Sequence, residues 1–346
     1  MSLRPGPRNL ITDVDGIAVG NAQSLDVRSG VTVVLPDRRT VAGVDVRGGA
    51  PGTRETDALD PTCLVEAVDG IVLSGGSVYG LEAMSGVVAW LGARGRGFAL
   101  GETPTVSPVV PGAVLFDLPN GGDKEWGETP PYREWGRFAC EAVSRDFALG
   151  NVGAGTGAMA GNIKGGLGSA SVIDGAFQVG ALIAVNPFGS AVLPGTGHFW
   201  AAPFELDGEF GGRGWPGDLP SASAGDPLKG TRLDVSPLAP GGNTTIGVVA
   251  TNAALTKAEA RRIAIMAQDG LARAVRPIHS HVDGDTIFTL ATGTAALPGD
   301  PLERLMQLMR IGSIAADCVA RAVARGVYAA EDLGDMACYR TRYAKE

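Results

Sequence analysis

The sequence contains few of the residues that build metal centres and disulfide frameworks. Of its 346 residues only three are histidine and four are cysteine, and no two cysteines have the C-x-x-C spacing of a zinc site. The cysteines are widely separated: Cys63, Cys140, Cys318 and Cys338. This spacing excludes a small disulfide-stapled scaffold and predicts reduced, mostly buried thiols.

Clusters of basic residues are also missing. Lys and Arg never occur in a run longer than a pair, and the formal net charge is −8 with a sequence pI of about 5.0. Proteins that bind nucleic acid or anionic membranes present a concentrated positive surface. We therefore expect small molecules as partners, with no nucleic acid and no membrane.

A long apolar run is missing from the first residues, MSLRPGPRNLITDVDG, so we expect no signal peptide and a cytoplasmic protein. Residues 175–204 carry no charge, but Asn186, Pro187, Pro194 and several glycines interrupt them. A lipid-exposed helix tolerates such interruptions poorly. We interpret this stretch as buried strands and turns.

What the sequence has in quantity is apolar residues, 45%, and glycine, 52 residues, which favours one large α/β domain with tight turns. Periodicity predicts strands from Val31 and Thr40 and a helix from Tyr79. Asp174-Gly175 lies between two β-prone stretches and predicts a hairpin. Asn186 then falls at the end of a buried strand.

The composition changes sharply between Gly208 and Asn243, where 14 of 36 residues are Gly or Pro. No helical or strand period is present there, so a flexible linker is predicted. Immediately afterwards TTIGVVATN, from Thr244, is strongly β-prone. The predicted boundary between linker and core strand is Asn243-Thr244.

The last hundred residues predict a regular order of elements. Thr256 and Glu259 form a capping box for a helix whose expected buried positions are Ala260, Ile263, Ala264, Ala267 and Leu271. A strand is predicted from Thr286. A second helix is predicted over Leu302 to Val323, with buried Leu305, Ile311, Ile314, Cys318 and Ala322.

The junction at Thr244 suggests a specific chemistry. A threonine hydroxyl is a weak nucleophile unless a base takes its proton, and the free α-amine of the same residue can serve as that base. An internal threonine gains such an amine if its hydroxyl attacks the preceding carbonyl and the chain is cut there. From the residues alone this indication is weak, because Asn243-Thr244 also fits an ordinary loop-to-strand turn.

Several motifs, in order along the chain, resemble one known family. These are LITDVDGIAVGNAQ, SGGSVYGLEA, GNVGAGTGAMAGNIKGGLGSAS, ALIAVNPFG, GGNTTIGVVATN and HSHVDGDTIF. Together they are similar to the self-processing L-aminopeptidase/D-amidase family, which also contains β-peptidyl aminopeptidases and the nylon-oligomer endo-hydrolase. The similarity extends over nearly the whole chain.

The resemblance implies an αββα sandwich of the N-terminal-nucleophile type. It implies cleavage into a large chain, residues 1–243 with a flexible 208–243 tail, and a small chain, residues 244–346, which stay together and form homo-oligomers of such pairs, a tetramer being favoured. Asn243-Thr244 and the D-G-D loop resemble the nylon-hydrolase branch. The expected substrates are therefore small amides such as 6-aminohexanoate oligomers, the alternative being an aminopeptidase or amidase-esterase acting on small or β-amino residues.

The resemblance also assigns site residues. Thr244 is the expected nucleophile, Lys164 the cation beside it and Asn186 an amide donor for an oxyanion. Apart from the resemblance, Lys164 also fits a solvated surface lysine, and Asn186 also fits a cap on a buried turn.

Two acids and two further residues complete the expected site. Asp285 is assigned to activation of Thr244 and Asp283 to its orientation, although D-G turns before strands are common. Tyr79 and Glu82 are assigned to substrate binding, Glu82 facing a substrate amine. Tyr79 also fits a core residue at the start of a helix.

Other residue patterns suggest alternative functions. His279, His281, Asp283 and Asp285 alternate in a way that fits a zinc hydrolase, but further clustered ligands are missing, so neither a metal nor another cofactor is expected. Gly153, Gly155 and Gly157 lack the G-K-[ST] ending of a phosphate loop. A threonine-dependent acyltransferase and a non-catalytic relative that binds small molecules stay open as alternatives.

Overall fold

Two β-sheets face each other at the centre of the molecule, and helices cover both outer faces. The computed structural model describes residues 3–217, 226–235 and 243–343. Within the predicted linker 208–243, residues 218–225 and 236–242 therefore lie outside the described residues.

Each sheet has five strands. The first sheet has the order β1-β2-β5-β6-β4, with β1 Ile17–Ser24, β2 Ser29–Pro36, β4 Gly52–Arg54, β5 Ile71–Ser74 and β6 Gly112–Val114. The second sheet has the order β3-β12-β11-β10-β9, with β3 Val41–Val46, β9 Gly166–Asp174, β10 Phe177–Asn186, β11 Thr244–Ala253 and β12 Thr286–Ala295. A short ribbon joins β7 Met159–Ala160 to β8 Ile163–Lys164. The predicted strands from Val31, Thr40, Thr244 and Thr286 are all present.

The helices divide between the two outer faces. Helices α1 (Glu82–Gly92) and α2 (Tyr132–Glu141) pack on the first sheet, whereas α3 (Lys257–Ala274) and α4 (Pro301–Ala329) pack on the second. A short α5, Tyr339–Tyr343, follows. This layering confirms the predicted αββα sandwich.

Strand β11 lies in the middle of the second sheet and is buried along its whole length. Its alternate residues point to opposite faces, as strand geometry requires. Ile246 and Val248 pack between the two sheets, whereas Val249 and Ala253 pack under α3 and α4. A strand covered on both faces needs apolar residues at nearly every position, which explains the continuous hydrophobic run after Thr244.

The predicted hairpin brings two singled-out residues together. Strands β9 and β10 are antiparallel and joined by a two-residue turn at Gly175 and Ala176, one position later than Asp174-Gly175. Gly175 has φ +60°, which glycine adopts without steric cost. Strand β10 then runs antiparallel to β11 and places Asn186, fully buried, opposite Thr244.

Helix α4 corrects one prediction. Ile311, Ile314, Cys318 and Ala322 are buried as expected, but Leu305 is 53% exposed. The helix has 29 residues and is about 44 Å long, whereas the ten-residue strand β10 spans about 34 Å. Because the helix is longer than the sheet it covers, its first turns extend past the edge, and burial begins only at Ile311.

Other local predictions hold. The capping box of Thr256 and Glu259 opens α3, and all five of its predicted apolar positions are buried. Cys140, Cys318 and Cys338 are buried, Cys63 is partly exposed, and all four thiols are free. No helix in the described ranges is long and apolar enough to cross a membrane.

The described parts of the predicted linker are packed against the body of the protein. Phe210 is 2% exposed and lies in the core under α4. The Glu209 carboxylate pairs with the guanidinium groups of Arg321 and Arg325, both on α4, and accepts a hydrogen bond from Asn9 Nδ2 at 2.5 Å. These residues therefore form an anchor for the segment that the sequence predicts to be flexible.

Candidate active site

A cleft of about 560 Å³ opens where β11 begins. Its lining includes Asn243 and Thr244, together with apolar side chains from both sheets and their loops: Val78, Leu81, Val114, Phe116 and Val282. Phe116 follows β6 of the first sheet, and Thr244 starts β11 of the second. The cleft therefore lies at the mouth of the sandwich, between the two sheets.

Thr244 sits against the peptide bond that precedes it. It is the first residue of β11 and is 3% exposed. Its hydroxyl donates a hydrogen bond to the carbonyl oxygen of Asn243. The side-chain oxygen is therefore held next to the carbonyl group of the Asn243-Thr244 peptide.

Asn186 joins two walls of the site. Its Oδ1 accepts a hydrogen bond from the Met159 amide at 2.8 Å, and its Nδ2 donates to the Phe116 carbonyl at 3.3 Å. Together with its pairing opposite Thr244, these contacts fix the side chain at the end of β10. The predicted amide donor is thus beside the predicted nucleophile.

Lys164 is a buried cation with unusual surroundings. Its Nζ donates hydrogen bonds to the carbonyls of Gly155, Ala158 and Gly165 at 2.9–3.0 Å. Burial lowers the pKa of this amine to about 7, against the opposing charge of Asp117. The solvated surface lysine is thereby excluded, and an amine that titrates near neutral pH stands on β8, paired with Met159.

Asp283 is buried and held by three donors. Its carboxylate accepts from the Phe188 amide at 2.9 Å and from the Ser280 amide and hydroxyl at 3.0 and 2.5 Å. Burial, reinforced by the neighbouring Asp285, raises the pKa of Asp283 to about 6. Asp283 therefore holds its proton more readily than an exposed carboxyl group does.

Asp285 holds the backbone next to the candidate nucleophile. Its Oδ1 accepts from the Thr245 amide at 2.7 Å, and its Oδ2 accepts from the His279 amide at 3.0 Å. His279 Nδ1 lies 2.9 Å from the same Oδ2. His279 has φ +57°, a conformation that costs a non-glycine residue on the order of 1 kcal/mol, and these contacts hold it there.

Gly284, between the two acids, approaches the candidate nucleophile closely. A Cβ atom at this position would lie 2.8 Å from Thr244 Oγ1 and 2.7 Å from the Ala50 carbonyl oxygen. The Asp283 carbonyl accepts from the Ala50 amide, and the Asp285 carbonyl accepts from the Arg47 amide. Only glycine fits in this approach, so the loop can press against Thr244.

The sequence did not identify several of these contacts. In the sequence, His279 fits only a metal-binding pattern. Ser280, Phe188 and Gly284 belong to no pattern that assigns them a role of their own. Asp117 is also fully buried near Lys164, and burial raises its pKa. These positions depend on which loops approach one another, which no local pattern encodes.

Tyr79 and Glu82 lie beside the cleft and are not part of its lining. They belong to the helical segment that begins with a 3-10 turn, Ser77–Leu81, in which residues three apart share a face. Val78 and Leu81 take the face toward the cleft. Tyr79 instead packs edge-on against Trp126, with ring centroids 5.6 Å apart, and Glu82 is exposed. Their assignment to substrate binding stays a prediction.

In the described ranges no group of three or more His, Cys, Asp or Glu side chains is arranged to hold a metal ion. Asp283 and Asp285 are instead engaged by backbone and side-chain donors, with His279 as a partner of Asp285. Thr244 thus lies against the amide side chain of Asn186 and the loop that carries Asp283 and Asp285, and Lys164 pairs with Met159, whose amide donates to Asn186.

Comparison with known proteins gives a consistent family assignment. Residues 9–339 match the sequence model of peptidase family S58. An uncharacterized aminopeptidase of Mycobacterium tuberculosis (strain ATCC 25618 / H37Rv) is 48% identical, over 97% of this chain and 98% of the relative. The 6-aminohexanoate-oligomer endohydrolase of Kocuria sp. (strain KY2) is 29% identical, over 86% of this chain and 78% of the relative.

A solved structure shares the fold. The L-aminopeptidase D-Ala-esterase/amidase from Ochrobactrum anthropi, described as a variant of the Ntn hydrolase fold, superposes with a TM-score of 0.68 at 23% identity. The alignment covers 97% of this chain and 90% of that one.

Proposed function

The chain belongs to peptidase family S58 and is a peptidase or amide hydrolase, and we propose that it cuts itself between Asn243 and Thr244 and then uses Thr244 as its nucleophile. The position of Thr244 carries the proposal. Its hydroxyl contacts the Asn243 carbonyl at the start of a core strand and at the wall of a cleft. Holding the reacting groups in contact lowers the entropy cost of reaching the transition state.

In the proposed self-cleavage, Thr244 Oγ1 attacks the carbonyl carbon of Asn243. The C–N bond breaks, the hydroxyl proton passes to the leaving nitrogen, and the acyl group is left as an ester on Oγ1. Water then hydrolyses the ester, which yields a carboxylate on Asn243 and a free amine and hydroxyl on Thr244. Asp285 orients the bond by holding the Thr245 amide.

In turnover the free α-amine of Thr244, with an ordinary pKa near ~8, takes the hydroxyl proton as Oγ1 attacks a substrate amide. Lys164 in its protonated form favours the neutral form of that amine, since like charges disfavour each other, and this effect is strongest below the Lys164 pKa of about 7. Asn186 donates its amide N–H to the oxyanion. Water completes the cycle by hydrolysing the acyl-enzyme.

We test the nucleophile with three variants. Thr244→Ala leaves one uncut chain without amidase activity, whereas Thr244→Ser, which keeps a hydroxyl, is cut and active. Thr245→Val is the matched control, because Thr245 is the next residue of the same strand and its buried hydroxyl has no hydrogen-bond partner. Denaturing gels and amide hydrolysis are the measurements, and a cut, active Thr244→Ala chain would rule out this nucleophile.

For the substrate we propose small amides such as 6-aminohexanoate oligomers. Apolar side chains line the cleft, and the Kocuria relative is a 6-aminohexanoate-oligomer endohydrolase. The second candidate, an aminopeptidase, is favoured by the name of the mycobacterial relative, which is 48% identical against 29%. Comparing kcat/KM on the oligomers, β-alanyl amides and L- or D-alanyl amides decides between the two.

We also propose that the cleaved pairs assemble into a homo-oligomer, a tetramer being favoured. An apolar stripe on the exposed first turns of α4 supports this proposal: Leu302, Leu305, Met306 and Met309, each at least half exposed. Their spacing places them on one helix face. Leu305→Glu with Met309→Glu lowers the mass measured by sedimentation if this face is the interface. An unchanged mass would move the interface elsewhere.

A further inference from the structure

A second cavity, of about 490 Å³, is separate from the cleft at Thr244. Its wall is about equally polar and apolar and includes Asn120, Met159, Asn162, Arg232, Ala337 and Arg342. The mechanism above makes no use of this space.

Arg232 is the unusual member of this wall. The residue is 5% exposed, and its Nη2 donates to Asn120 Oδ1, while its Nη1 is buried without a hydrogen-bond partner. Asn120 is itself fixed, since its Nδ2 donates to the Gly157 carbonyl at 2.7 Å. One edge of the guanidinium is thus locked and the other is unused.

The charge of Arg232 is also uncompensated. None of the ion pairs formed in the described part of the chain involves it, and burial alone lowers its pKa to about 10. The acid that lines the cavity, Asp335, is exposed and pairs with Arg28 at 3.1 Å. A buried charge without a partner is costly, so a site that keeps one is suited to a ligand of opposite charge.

The cavity adjoins the candidate catalytic residues through two hydrogen-bond paths. The Arg232 amide donates to the Phe188 carbonyl at 3.0 Å, and the Phe188 amide donates to Asp283. On the other side Met159 lines the cavity, and its amide donates to Asn186 Oδ1. The cavity wall is therefore one hydrogen bond from Asn186, through Met159, and linked to Asp283 through Phe188.

We propose that this cavity binds a carboxylate group of the substrate through Arg232, which selects short amides whose leaving part ends in a free carboxylate. The planar fork of arginine matches a carboxylate, with the unused Nη1 as the donor. The inference rests on the proposed amidase activity and adds its substrate class. End-blocked amides are then poorer substrates.

The test compares the acid with its carboxamide, using the 6-aminohexanoate dimer on the matured protein. We expect kcat/KM for the acid to exceed that for the carboxamide by about tenfold or more, because a charge-assisted hydrogen bond is at stake. Arg232→Gln removes the preference by lowering only the value for the acid, and Arg232→Lys keeps part of it. Arg137→Gln, on the surface of α2, is the matched control.

The outcomes separate the two proposals. If no acid or carboxamide is cleaved, the proposed function fails. If both are cleaved equally by the wild type, or if Arg232→Gln keeps the preference, the carboxylate site is wrong.

If an Arg232 variant does not cleave itself, ligand binding to the uncut chain can still be measured. Calorimetry on the uncut Thr244→Ala chain and on the matured wild type uses 6-aminohexanoate, with 6-aminohexanamide as the neutral probe. We expect saturable binding of the acid to both proteins and none to Arg232→Gln in the Thr244→Ala background. Binding to the uncut chain alone would assign the site to the protein's own new C-terminus and overturn the substrate assignment.

Discussion

Two buried cations, Arg321 on α4 and Lys164 on β8, have opposite surroundings. Burial lowers the pKa of Arg321, but hydrogen bonds and charge from Glu209 more than offset this and raise it above its usual value. Within the described residues, the Lys164 amine donates its hydrogen bonds to backbone carbonyls and forms no ion pair. Burial lowers its pKa to about 7. The compensated charge fixes one segment to another, whereas the uncompensated one can exchange a proton near neutral pH.

The same contrast separates two groups of residues. Around Glu209 the charges join α4 to the segment before the predicted cut, so we expect changes there to affect stability. Around Thr244 burial shifts the pKa values of Asp283 and Lys164 toward each other, and we expect changes there to affect chemistry. Variants in each group test whether the first group affects stability and the second affects chemistry.

The largest effect is expected for Asp285→Asn. Loss of the carboxylate removes a proton-handling group and replaces by a donor one of the two oxygens that accept from the Thr245 and His279 amides, so self-cleavage slows by about 10²- to 10⁴-fold. The rate of chain cutting, followed on denaturing gels, is the measurement. Unfolding of the same variant in the Thr244→Ala background shows whether the fold is intact, and Asp146→Asn at the surface is the control. Wild-type cutting by Asp285→Asn would reduce this acid to a turn residue.

On the structural side, Glu209→Gln leaves the buried guanidinium of Arg321 and the partly buried guanidinium of Arg325 without their carboxylate. Breaking a buried ion pair in this way costs about 3–5 kcal/mol, so the free energy of unfolding falls by that amount. Urea denaturation of the uncut Thr244→Ala background measures it. The kcat/KM of the matured, folded variant stays near the wild-type value. A large loss of activity without a loss of stability would show that Glu209 acts on the chemistry and would contradict this expectation.

Asn186→Ala has the next effect. One oxyanion donor contributes about 10²-fold to kcat, so turnover falls by that factor, and self-cleavage proceeds more slowly but still completes. Single-turnover kinetics on the matured variant separates the chemical step from binding. Unchanged kcat would leave Asn186 only its structural contacts with Met159 and Phe116.

The smallest effect concerns pH. The folded-state pKa of Asp283 is raised from 3.8 to about 6, so the folded protein binds more protons than the unfolded chain between these values. The stabilising contribution of Asp283 is therefore complete below pH 3.8 and is lost as the pH rises toward 6, by on the order of 2–3 kcal/mol.

Asp283→Asn mimics the protonated form and lacks this dependence. The unfolding free energy of the parent minus that of the variant, both in the Thr244→Ala background, falls from pH 4 to pH 6. Urea denaturation at three pH values measures it, with Asp146→Asn as the reference. A difference that grows with pH would show that Asp283 is ionised at low pH in the folded protein.

Local sequence patterns predicted the framework of this molecule well. The capping box at Thr256 and the apolar run after Thr244 depend on neighbouring residues, and both elements are where the patterns placed them. Leu305 was predicted to be buried because periodicity gives the face of a helix, whereas the overhang of α4 depends on the length of the sheet beneath it.

The site was predicted in part. Thr244, Asn186 and the two acids were identified through motifs, and the structure places them together. Gly284, His279 and Arg232 were not identified, because their importance arises where segments distant in sequence meet. The packed Phe210 likewise lies in a stretch whose composition predicted a mobile linker.

The measurement that tests the central proposal most directly is the intact mass of the purified wild-type protein, combined with N-terminal sequencing. The proposal predicts two chains, the smaller beginning at Thr244, and one uncut chain of 346 residues for Thr244→Ala. A single uncut wild-type chain that hydrolyses amides at full rate would contradict both the self-cleavage and the assignment of Thr244 as the nucleophile.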